Sequence, residues 1–465
     1  MYKKKAHLHF VGIGGIGMSG IAQILRFQGY NISGCDLDLH QKSIKDLQAI
    51  GCKIYHGNNT KNCKNNDIDI LVYSSAIKPD NPEIVAAQKQ GIPTIPRALM
   101  LAELMRTKYS VAIAGAHGKT TTTSLISHIL IESGMDPTVI IGGHLKNIST
   151  NARLGKGDFL VAEADESDRS LVHLQATLAV VTNIDLEHLE TYQDLKDVKS
   201  TFKIFLNNLP FYGKAFLCID DPNIQSILPM PHLKIIKYGL DKQLADFYAK
   251  EVTLNPDHST FSLYKKSLPY PLGKIIIKMP GKHNVLNCLA AISVAYDLGI
   301  DFEKISKALE SFKGIERRFC YKGTFRGAEI FDDYGHHPKE IQSTIEVAKK
   351  RAKKKLIVAF QPHRYTRTHK LWDNFVETFA NSNIDHLIIT DIYPASEAPI
   401  ENINSKKLVA DIIAKNPSFP VTYSPYDDNL SEIKQQVQQY ADEQDLILSL
   451  GAGKITNLAE KLEKP

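Results

Sequence analysis

The chain has 465 residues, 43% of them hydrophobic and 23% charged, with a net charge of +5. This ordinary globular composition excludes disorder, collagen and coiled coil for the whole chain, and the length predicts about three domains. So small a charge indicates neither nucleic acid nor an anionic membrane as a partner. Six scattered cysteines, without a secretion signal or a bilayer-length apolar run, predict a cytoplasmic protein with reduced thiols.

Eight apolar runs alternate with helical patterns along the chain. Continuous runs favour parallel strands buried on both faces, so the order predicts an α/β fold of doubly wound sheets. We expect a Rossmann-like domain over 1–106, a central P-loop ATPase-like domain over 107–315, and a Rossmann-like domain over 316–465. The proline-containing segment 240–280 is expected to be a small antiparallel insertion in the central domain.

The first chemical motif is a GxGxxG loop between the first strand and a helix. Its glycines are Gly12, Gly14, Gly15 and Gly17. They allow a tight turn and let backbone N–H groups approach a diphosphate at the helix N-terminus. Asp36 follows the next strand, where an acidic residue can bind a ribose. Alone, the motif favours a nicotinamide cofactor, so an oxidoreductase is one hypothesis, and a glycine turn without a ligand is the structural alternative.

A second glycine loop follows a strand near residue 107 and leads directly into a helix. It is shorter than the usual GxxxxGK[ST] and consists of Gly115, Ala116, His117, Gly118, Lys119, Thr120 and Thr121. Its N–H groups are expected to cradle ATP phosphates, with Lys119 at the β- and γ-phosphates and Thr120 at Mg²⁺. An ATP-gated binding module without catalysis is a second hypothesis.

Polar side chains also end later strands of the central block. Glu163 is a reasonable Mg²⁺ ligand because this ion prefers hard oxygen donors. His188 is a softer donor, and chemistry alone favours a capping or core histidine. Asn284 and Asn287 are three residues apart and share a face if helical, where they could read an adenine edge or cap the helix.

The third block carries polar motifs beyond two further strands. The candidates are Arg318, Asp333, Tyr334, His336, His363, Arg364 and Arg367. Arginine matches a carboxylate bidentately and aspartate matches an ammonium, so the set could bind a zwitterion. Surface charge clusters are the alternative, but joint placement beyond strand ends favours a site.

These motifs, in this order, resemble the Mur ligase family over almost the whole chain. The strings are GIGGIGMSG, SSAI at 74–77, GAHGKTTTT, EADESD, TNIDLEH, GKHNVLN, RRF, DDYGHHP, FQPHRYTRT, YPASEAP and GAGKIT. The first string and DDYGHHP favour the alanine-adding branch. The resemblance implies ATP- and Mg²⁺-dependent ligation of L-alanine to the lactyl carboxylate of UDP-N-acetylmuramate through an acyl phosphate, in peptidoglycan precursor synthesis. A paralogous ligase that adds a peptide is the nearest alternative.

The resemblance also implies roles for matching residues. The GxGxxG loop, Asp36, Ser74 and Ser75 would hold the UDP sugar rather than a dinucleotide. The metal ligands would be Thr120, Glu163 and His188, and the nucleotide would meet the second glycine loop, Asn284, Asn287 and Arg318. Catalysis is assigned to Lys119, Asp333, His336 and Arg318, and substrate binding in the third block to Asp333, Tyr334, His336, His363, Arg364 and Arg367. Only small-molecule partners are expected, without nucleic acid or membrane insertion, in a monomer or homodimer.

The chain departs from the family pattern at a few positions. Ala116 stands where the phosphate loop usually has threonine, and Leu189 replaces a methionine after the metal-site histidine. Asn58 stands where a histidine is expected near the uridine. Lys203 lies near a lysine that several relatives carbamylate, a modification that the alanine-adding branch does not require. The acceptor of the amine proton stays open among Asp333, His336 and His337.

Overall fold

The computed structural model describes residues 6–63, 67–74, 76–142, 152–188, 191–315, 317–395 and 397–463. Ser75 and Leu189, named above, lie outside the described residues. The chain divides into two compact units. The first comprises Met1–Val252, Phe261–Ile276 and Asn284–Lys313, and the second comprises Thr253–Thr260, Ile277–His283 and Gly314–Pro465.

The first sheet has five parallel strands in the order β3-β2-β1-β4-β5. The strands are β1 His7–Val11, β2 Asn31–Asp36, β3 Lys53–His56, β4 Ile70–Tyr73 and β5 Thr94–Pro96. The helices are α1 Ile16–Phe27, α2 Lys42–Ala49, α3 Pro82–Lys89 and α4 Arg97–Met105, with a 3₁₀ turn at Thr60–Cys63. Strand order reverses between β1 and β4, which places a ligand crevice beyond their carboxyl ends.

The second sheet has the strand order β15-β14-β13-β12-β11-β10-β6-β9-β7-β8. The strands are β6 Tyr109–Ala114, β7 Thr138–Ile140, β8 Ala152–Arg153, β9 Phe159–Glu163, β10 Leu178–Val181, β11 Lys214–Cys218, β12 Lys234–Gly239, β13 Phe247–Leu254, β14 Ser259–Lys265 and β15 Gly273–Ile277. The helices are α5 Lys119–Glu132, α6 Leu195–Asn207, α7 Pro222–Ser226, α8 Lys282–Asp297 and α9 Phe302–Ser311, with a 3₁₀ turn at Ser170–His173.

The predicted insertion is confirmed as a β-rich extension of this sheet. Asn255 N–H donates to the His258 carbonyl (2.9 Å), which closes the turn between β13 and β14. Lys266 N–H donates to the Asp246 carbonyl (2.8 Å) at the opposite ends of the same strands, as in an antiparallel hairpin. Burial alternates along β14, as expected for a sheet with one solvated face.

The third sheet has the strand order β16-β17-β21-β18-β19-β20, in which β16 and β17 are antiparallel and the other neighbours are parallel. The strands are β16 Cys320–Phe325, β17 Ala328–Asp333, β18 Leu356–Phe360, β19 His386–Ile389, β20 Val421–Tyr423 and β21 Leu446–Leu450. The helices are α10 Pro338–Arg351, α11 Tyr365–Lys370, α12 Trp372–Ala380, α13 Ser405–Lys415, α14 Ser431–Tyr440 and α15 Leu458–Glu463, with a 3₁₀ turn at Lys454–Asn457. Successive residues of β18, such as Ile357 and Val358, pack into separate apolar clusters, so both faces of the sheet are covered.

The predicted fold class, α/β with sheets covered by helices, is confirmed. The eight apolar runs form β1, β4, β6, β9, β10, β18, β19 and β21. The three domain boundaries stay a prediction. Across the described residues, every helix falls short of the length or apolarity that crossing a bilayer requires.

Candidate functional site

The GxGxxG loop is held by the end of β2. Gly12 adopts a φ of 78°, a conformation that favours glycine, and its N–H donates to the Cys35 carbonyl (2.9 Å). Gly14 N–H donates to Asp36 Oδ2 (2.8 Å), and the Ser43 hydroxyl donates to the Gly14 carbonyl (2.7 Å). Asp36 therefore positions the loop, and its predicted ribose contact stays a prediction.

The crevice side of this loop brings together residues from separate elements. Ser74, just after β4, lies 3.4 Å from the position that a Cβ on Gly12 would take. Within the described residues, Gly15 caps α1 without a side-chain hydrogen bond, and the first turn of α1 carries no acidic side chain. Arg97 of α4 approaches this turn at Gly17. An anion is favoured beside such a helix start, and Arg97 is a residue that sequence reasoning missed.

A buried polar network lies behind the crevice. His9 and Glu83 are fully buried, with His9 Nε2 and Glu83 Oε2 2.8 Å apart. Glu83 Oε1 accepts from Asn59 N–H (2.7 Å) and from Asn62 Nδ2 (3.0 Å). Burial raises the pKa of Glu83, but the hydrogen bond and charge of His9 outweigh it, so the pKa is lowered. The network fixes the segment beside Asn58, the position where the family pattern has a histidine near the uridine.

The second glycine loop is held by the end of β10. Gly115 and Gly118 have φ values of 139° and 82°, and a Cβ on Gly115 would clash with the Thr182 hydroxyl. His117 N–H donates to Asn183 Oδ1 (2.8 Å), while Thr182 Oγ1 donates to the His117 carbonyl (2.6 Å). The loop is thus preorganised before any phosphate binds, by two side chains that sequence reasoning did not select.

Lys119 begins α5 with its ammonium folded back over the loop. Its Nζ donates to the carbonyls of Gly115 (2.6 Å) and Ala116 (3.2 Å) and to Glu166 Oε1 (2.8 Å). Burial lowers the pKa of Lys119, but the carboxylates of Glu166 and Asp165 outweigh it and raise the pKa above its ordinary value. Lys119 is therefore charged at neutral pH and stands where the loop geometry expects phosphate.

Two of the predicted metal ligands lie together beside this loop. Thr120 Oγ1 donates to Glu163 Oε2 (3.3 Å), and Gly142 N–H donates to Glu163 Oε1 (2.8 Å). A hydroxyl and a carboxylate at one edge of the sheet suit Mg²⁺, which takes few protein ligands and completes its shell with water and phosphate oxygens.

His188 joins a second acidic group instead. Its Nε2 lies 3.5 Å from Glu166 Oε1 and 3.8 Å from Glu187 Oε2, and the ligand atoms of the three residues lie within 4.8 Å of one another. Within the described part of the chain, the buried Glu166 Oε2 accepts no hydrogen bond. This donor set fits a hard cation. Sequence reasoning missed Glu166 and Glu187, although both stand in the strings EADESD and TNIDLEH.

The two asparagines of α8 pack behind the glycine loop. Asn287 Oδ1 accepts from Thr122 Oγ1 (3.2 Å) and would lie 2.5 Å from a Cβ on Gly118. Asn287 Nδ2 donates to Asn284 Oδ1 (3.5 Å), so the two side chains share a face. Asn287 thereby positions the loop, and the contacts of both residues with ATP stay predictions.

In the second unit, Asp333 is a fully engaged carboxylate. Its Oδ2 accepts from Phe319 N–H (2.8 Å), and its Oδ1 accepts from Gly335 N–H (2.8 Å) and Thr344 Oγ1 (3.1 Å). Burial raises the pKa of Asp333 despite the opposing charge of Arg318. Asp333 thus ties the segment after Arg318 to the turn after β17, and its predicted contact with the amino acid stays a prediction.

Arg318, Tyr334 and His336 meet around Glu340. The Arg318 guanidinium lies 5.5 Å from the Tyr334 ring centre and 3.7 Å from Glu340 Oε1. His336 N–H donates to Glu340 Oε2 (3.2 Å), and His336 Nδ1 lies 3.1 Å from the Tyr334 carbonyl, which assigns the ring proton to Nδ1. Burial lowers the pKa of His336 to about 3, so its ring is neutral at neutral pH. Glu340 was not predicted.

The remaining candidates gather at the neighbouring strand end. The rings of His336 and His363 are 6.0 Å apart, and Arg367 Nη1 donates to the His363 carbonyl (3.1 Å). Burial and the Arg367 charge lower the pKa of His363 to about 4. Arg364 has a φ of 72°, which is uncommon for a residue other than glycine, and its Nε lies 3.3 Å from Glu397 Oε1. Neutral imidazoles beside arginines can receive a carboxylate.

Known proteins resemble this chain over nearly its whole length. Three sequence profiles match the chain: "Mur ligase family, catalytic domain" at residues 7–109, "Mur ligase middle domain" at residues 113–295, and "Mur ligase, glutamate ligase domain" at residues 317–453. The chain is 48% identical over 463 residues to the UDP-N-acetylmuramate–L-alanine ligase of Geobacter sp. (strain M21), covering 99% of this chain and 98% of the relative. The ligase of the same name from Geotalea uraniireducens is also 48% identical over 463 residues, with the same coverage.

Solved structures show the same architecture. The UDP-N-acetylmuramate-alanine ligase MurC of Thermotoga maritima superposes with a TM-score of 0.80 at 26% identity, covering 98% of each chain. The murein peptide ligase of Psychrobacter arcticus superposes with a TM-score of 0.73 over 99% of each chain, and at 22% identity this likeness concerns the fold alone.

Proposed function

Because the chain belongs to the Mur ligase family, we propose that it joins L-alanine to the lactyl carboxylate of UDP-N-acetylmuramate, with ATP converted to ADP and phosphate. The proposal rests on one observation: the chain is 48% identical over nearly its full length to ligases that are named for this activity. The reaction would serve peptidoglycan precursor synthesis.

The chemistry needs activation, because a carboxylate is a poor electrophile and its oxide a poor leaving group. Transfer of the γ-phosphoryl group to the lactyl carboxylate gives an acyl phosphate, in which phosphate has become the leaving group. The neutral amine of alanine then attacks the carbonyl carbon, and phosphate departs. Positioning and charge stabilisation are the contributions that protein side chains can make to such a phosphoryl transfer.

The first unit would bind both nucleotides. The Gly12–Gly17 loop and Ser74 would receive the UDP diphosphate, and the Gly115–Thr121 loop would receive ATP. Phosphate oxygens would replace the loop carbonyls around the Lys119 ammonium. Thr120 and Glu163 would form one Mg²⁺-binding group, and His188 would form another with Glu166 and Glu187. Bound Mg²⁺ would offset the negative charge of the phosphates.

The second unit would supply the amino-acid side of the reaction. Since His336 and His363 are neutral, Arg364 and Arg367 would be the cations for a carboxylate. The unprotonated Nε2 of His336 would accept a hydrogen bond from the amine. Because the pKa of His336 is lowered to about 3, this nitrogen is too weak a base to keep the proton. Arg318 would contact phosphate, and Asp333 and Tyr334 would shape the pocket.

Three further hypotheses have less support. A nicotinamide-dependent oxidoreductase and an ATP-gated binding module leave the full-length likeness to ligases unexplained. A peptide-adding paralogue has the same fold, so only the product separates it from an alanine-adding enzyme.

We also propose that the protein is cytoplasmic, that it is a monomer or homodimer, and that its partners are small molecules. Light scattering after size exclusion would test the oligomeric state.

The decisive experiment is mass spectrometry of UDP-N-acetylmuramate incubated with the protein, ATP, Mg²⁺, all common amino acids and an alanine-containing tripeptide. We expect the alanine adduct, with one ADP released per product. A tripeptide adduct would instead support the paralogue. No adduct with any acceptor, from protein that binds ATP, would overturn the proposal.

A further inference from the structure

Arg97 is a cation that the family motifs quoted above do not include. It is the first residue of α4, and its guanidinium is largely buried, with 17% of the side chain exposed. Nη1 lies 3.0 Å from the position that a Cβ on Gly17 would take, in the first turn of α1. Nη2 lies 3.1 Å from Asp165 Oδ2, two residues beyond the end of β9. One guanidinium therefore faces both the UDP-sugar loop and the loop that follows Glu163.

Asp165 extends this connection to the ATP side of the first unit. Its Oδ1 accepts from Ser167 N–H (3.0 Å), which fixes the carboxylate in the loop. Asp165 and Lys119 interact electrostatically, and Glu166, the next residue, pairs directly with the Lys119 ammonium. Arg97, Asp165 and Lys119 thus form a row of alternating charges that runs from one glycine loop to the other.

We propose that Arg97 binds the diphosphate of the UDP sugar and, through its pairing with Asp165, couples occupancy of the two glycine loops. This inference rests on the proposed function. A guanidinium presents several N–H groups in a fixed fork, so Nη1 can donate to a phosphate oxygen while Nη2 stays on Asp165. The diphosphate then fixes Arg97 and Asp165, which fixes the loop that follows Glu163 and carries Glu166. Each nucleotide is expected to bind more tightly in the presence of the other, by the same factor in both directions.

The test measures binding of UDP to the full chain by calorimetry, with and without a non-hydrolysable ATP analogue and Mg²⁺. Arg97→Gln is expected to weaken UDP binding about tenfold or more, because a charge-assisted hydrogen bond is lost. Arg97→Lys should weaken it less, since the charge remains without the fork. Arg106→Gln is the matched control, because Arg106 caps the same helix at its other end and is exposed; UDP affinity should be unchanged.

A second variant tests the coupling itself. Asp165→Asn keeps the shape of the side chain but removes its charge, so it should reduce the mutual enhancement of UDP and ATP-analogue binding towards a factor of one. Wild-type affinity for UDP in Arg97→Gln would overturn the role of Arg97, and undiminished enhancement in Asp165→Asn would overturn the coupling. Failure of the wild-type protein to bind UDP at all would instead contradict the proposed function.

Discussion

Lys119 and Glu166 form an ion pair in the phosphate loop, with Nζ and Oε1 2.8 Å apart and only 4% of the Glu166 side chain exposed. Removing one partner of a buried ion pair leaves the other charge uncompensated. Replacing either residue by a neutral one is therefore expected to destabilise the protein. The Lys119 ammonium also donates to two loop carbonyls, so phosphate oxygens can replace these carbonyls while the pair with Glu166 stays intact. Glu166 also lies beside Glu187 and His188, where its charge suits a cation.

The first prediction concerns catalysis and stability at this pair. Lys119→Met should lower ADP release that depends on both UDP-N-acetylmuramate and L-alanine by about 10²–10³-fold, because the positive charge that stabilises the transferred phosphoryl group is lost. It should also destabilise the protein by about 3 kcal/mol, since Glu166 is left unpaired. The double variant with Glu166→Gln should recover much of the stability without recovering activity. Chemical denaturation and a coupled ADP assay measure the two effects.

Lys203→Ala provides the control for this prediction. Lys203 is an exposed residue of α6, near the position that relatives carbamylate, and no role in the site is expected for it. Its replacement should leave turnover and unfolding unchanged. Full activity in Lys119→Met would remove the phosphate-loop assignment, whereas loss of activity in Lys203→Ala would show that the carbamylated-lysine pattern applies to this chain after all.

The second prediction concerns Asp333. Asp333→Asn replaces one acceptor by an NH₂ group that faces backbone N–H donors, so we expect a loss of about 1–3 kcal/mol in the free energy of unfolding. We also expect lower turnover at limiting alanine, because the segment after Arg318 and the turn after β17 both lose their anchor. Thr344→Val removes only the third donor and should cost about 1 kcal/mol without raising the KM for alanine. Unchanged turnover in Asp333→Asn at limiting alanine would remove this residue from the site.

Local sequence rules predicted the parts of the site that depend on backbone shape. The positive φ of Gly12 and Gly118 demands glycine whatever the ligand, so both loops can be recognised from spacing alone. Continuous apolar runs identified eight parallel strands, and the placement of polar residues at strand ends identified Glu163 and Asp333. A histidine such as His188 needed the family resemblance, because its residue type alone favours a structural role.

Contacts between residues distant in sequence could not be predicted in this way. Glu166 lies 47 positions after Lys119 in the sequence, and Asp165 lies 68 positions after Arg97. Both pairs depend on how separate strands and helices pack, which local periodicity does not specify. The same holds for Asp36, whose strand-end position was predicted but whose bond to Gly14 was not. Sequence reasoning therefore found the loops and missed the side chains that hold them.

The third prediction follows from the His9–Glu83 network. Glu83→Gln should weaken the anchoring of the Thr60–Cys63 turn, because Asn59 and Asn62 donate to the lost charge. We expect faster hydrogen exchange in residues 59–62 and a KM for UDP-N-acetylmuramate raised several-fold, with kcat little changed. Glu103→Gln, on an exposed face of α4, is the control. Unchanged exchange in Glu83→Gln would show that other contacts hold this segment.

The fourth prediction is a pH dependence of stability in the second unit. The pKa values of His336 and His363 are about 3 and about 4 in the folded protein, against an unfolded value near 6.5. Below pH 6.5 the unfolded chain therefore binds protons that the folded chain excludes, so stability should fall as the pH falls from about 6.5 to about 4. Each histidine should lower the free energy of unfolding by roughly 2 kcal/mol as the pH falls from 6.5 to 5. His363→Gln should flatten this slope, measured by urea unfolding at the two pH values, whereas replacing His232, an exposed histidine of the first unit, should not. An equal slope in His363→Gln would show that folding does not lower the pKa of His363.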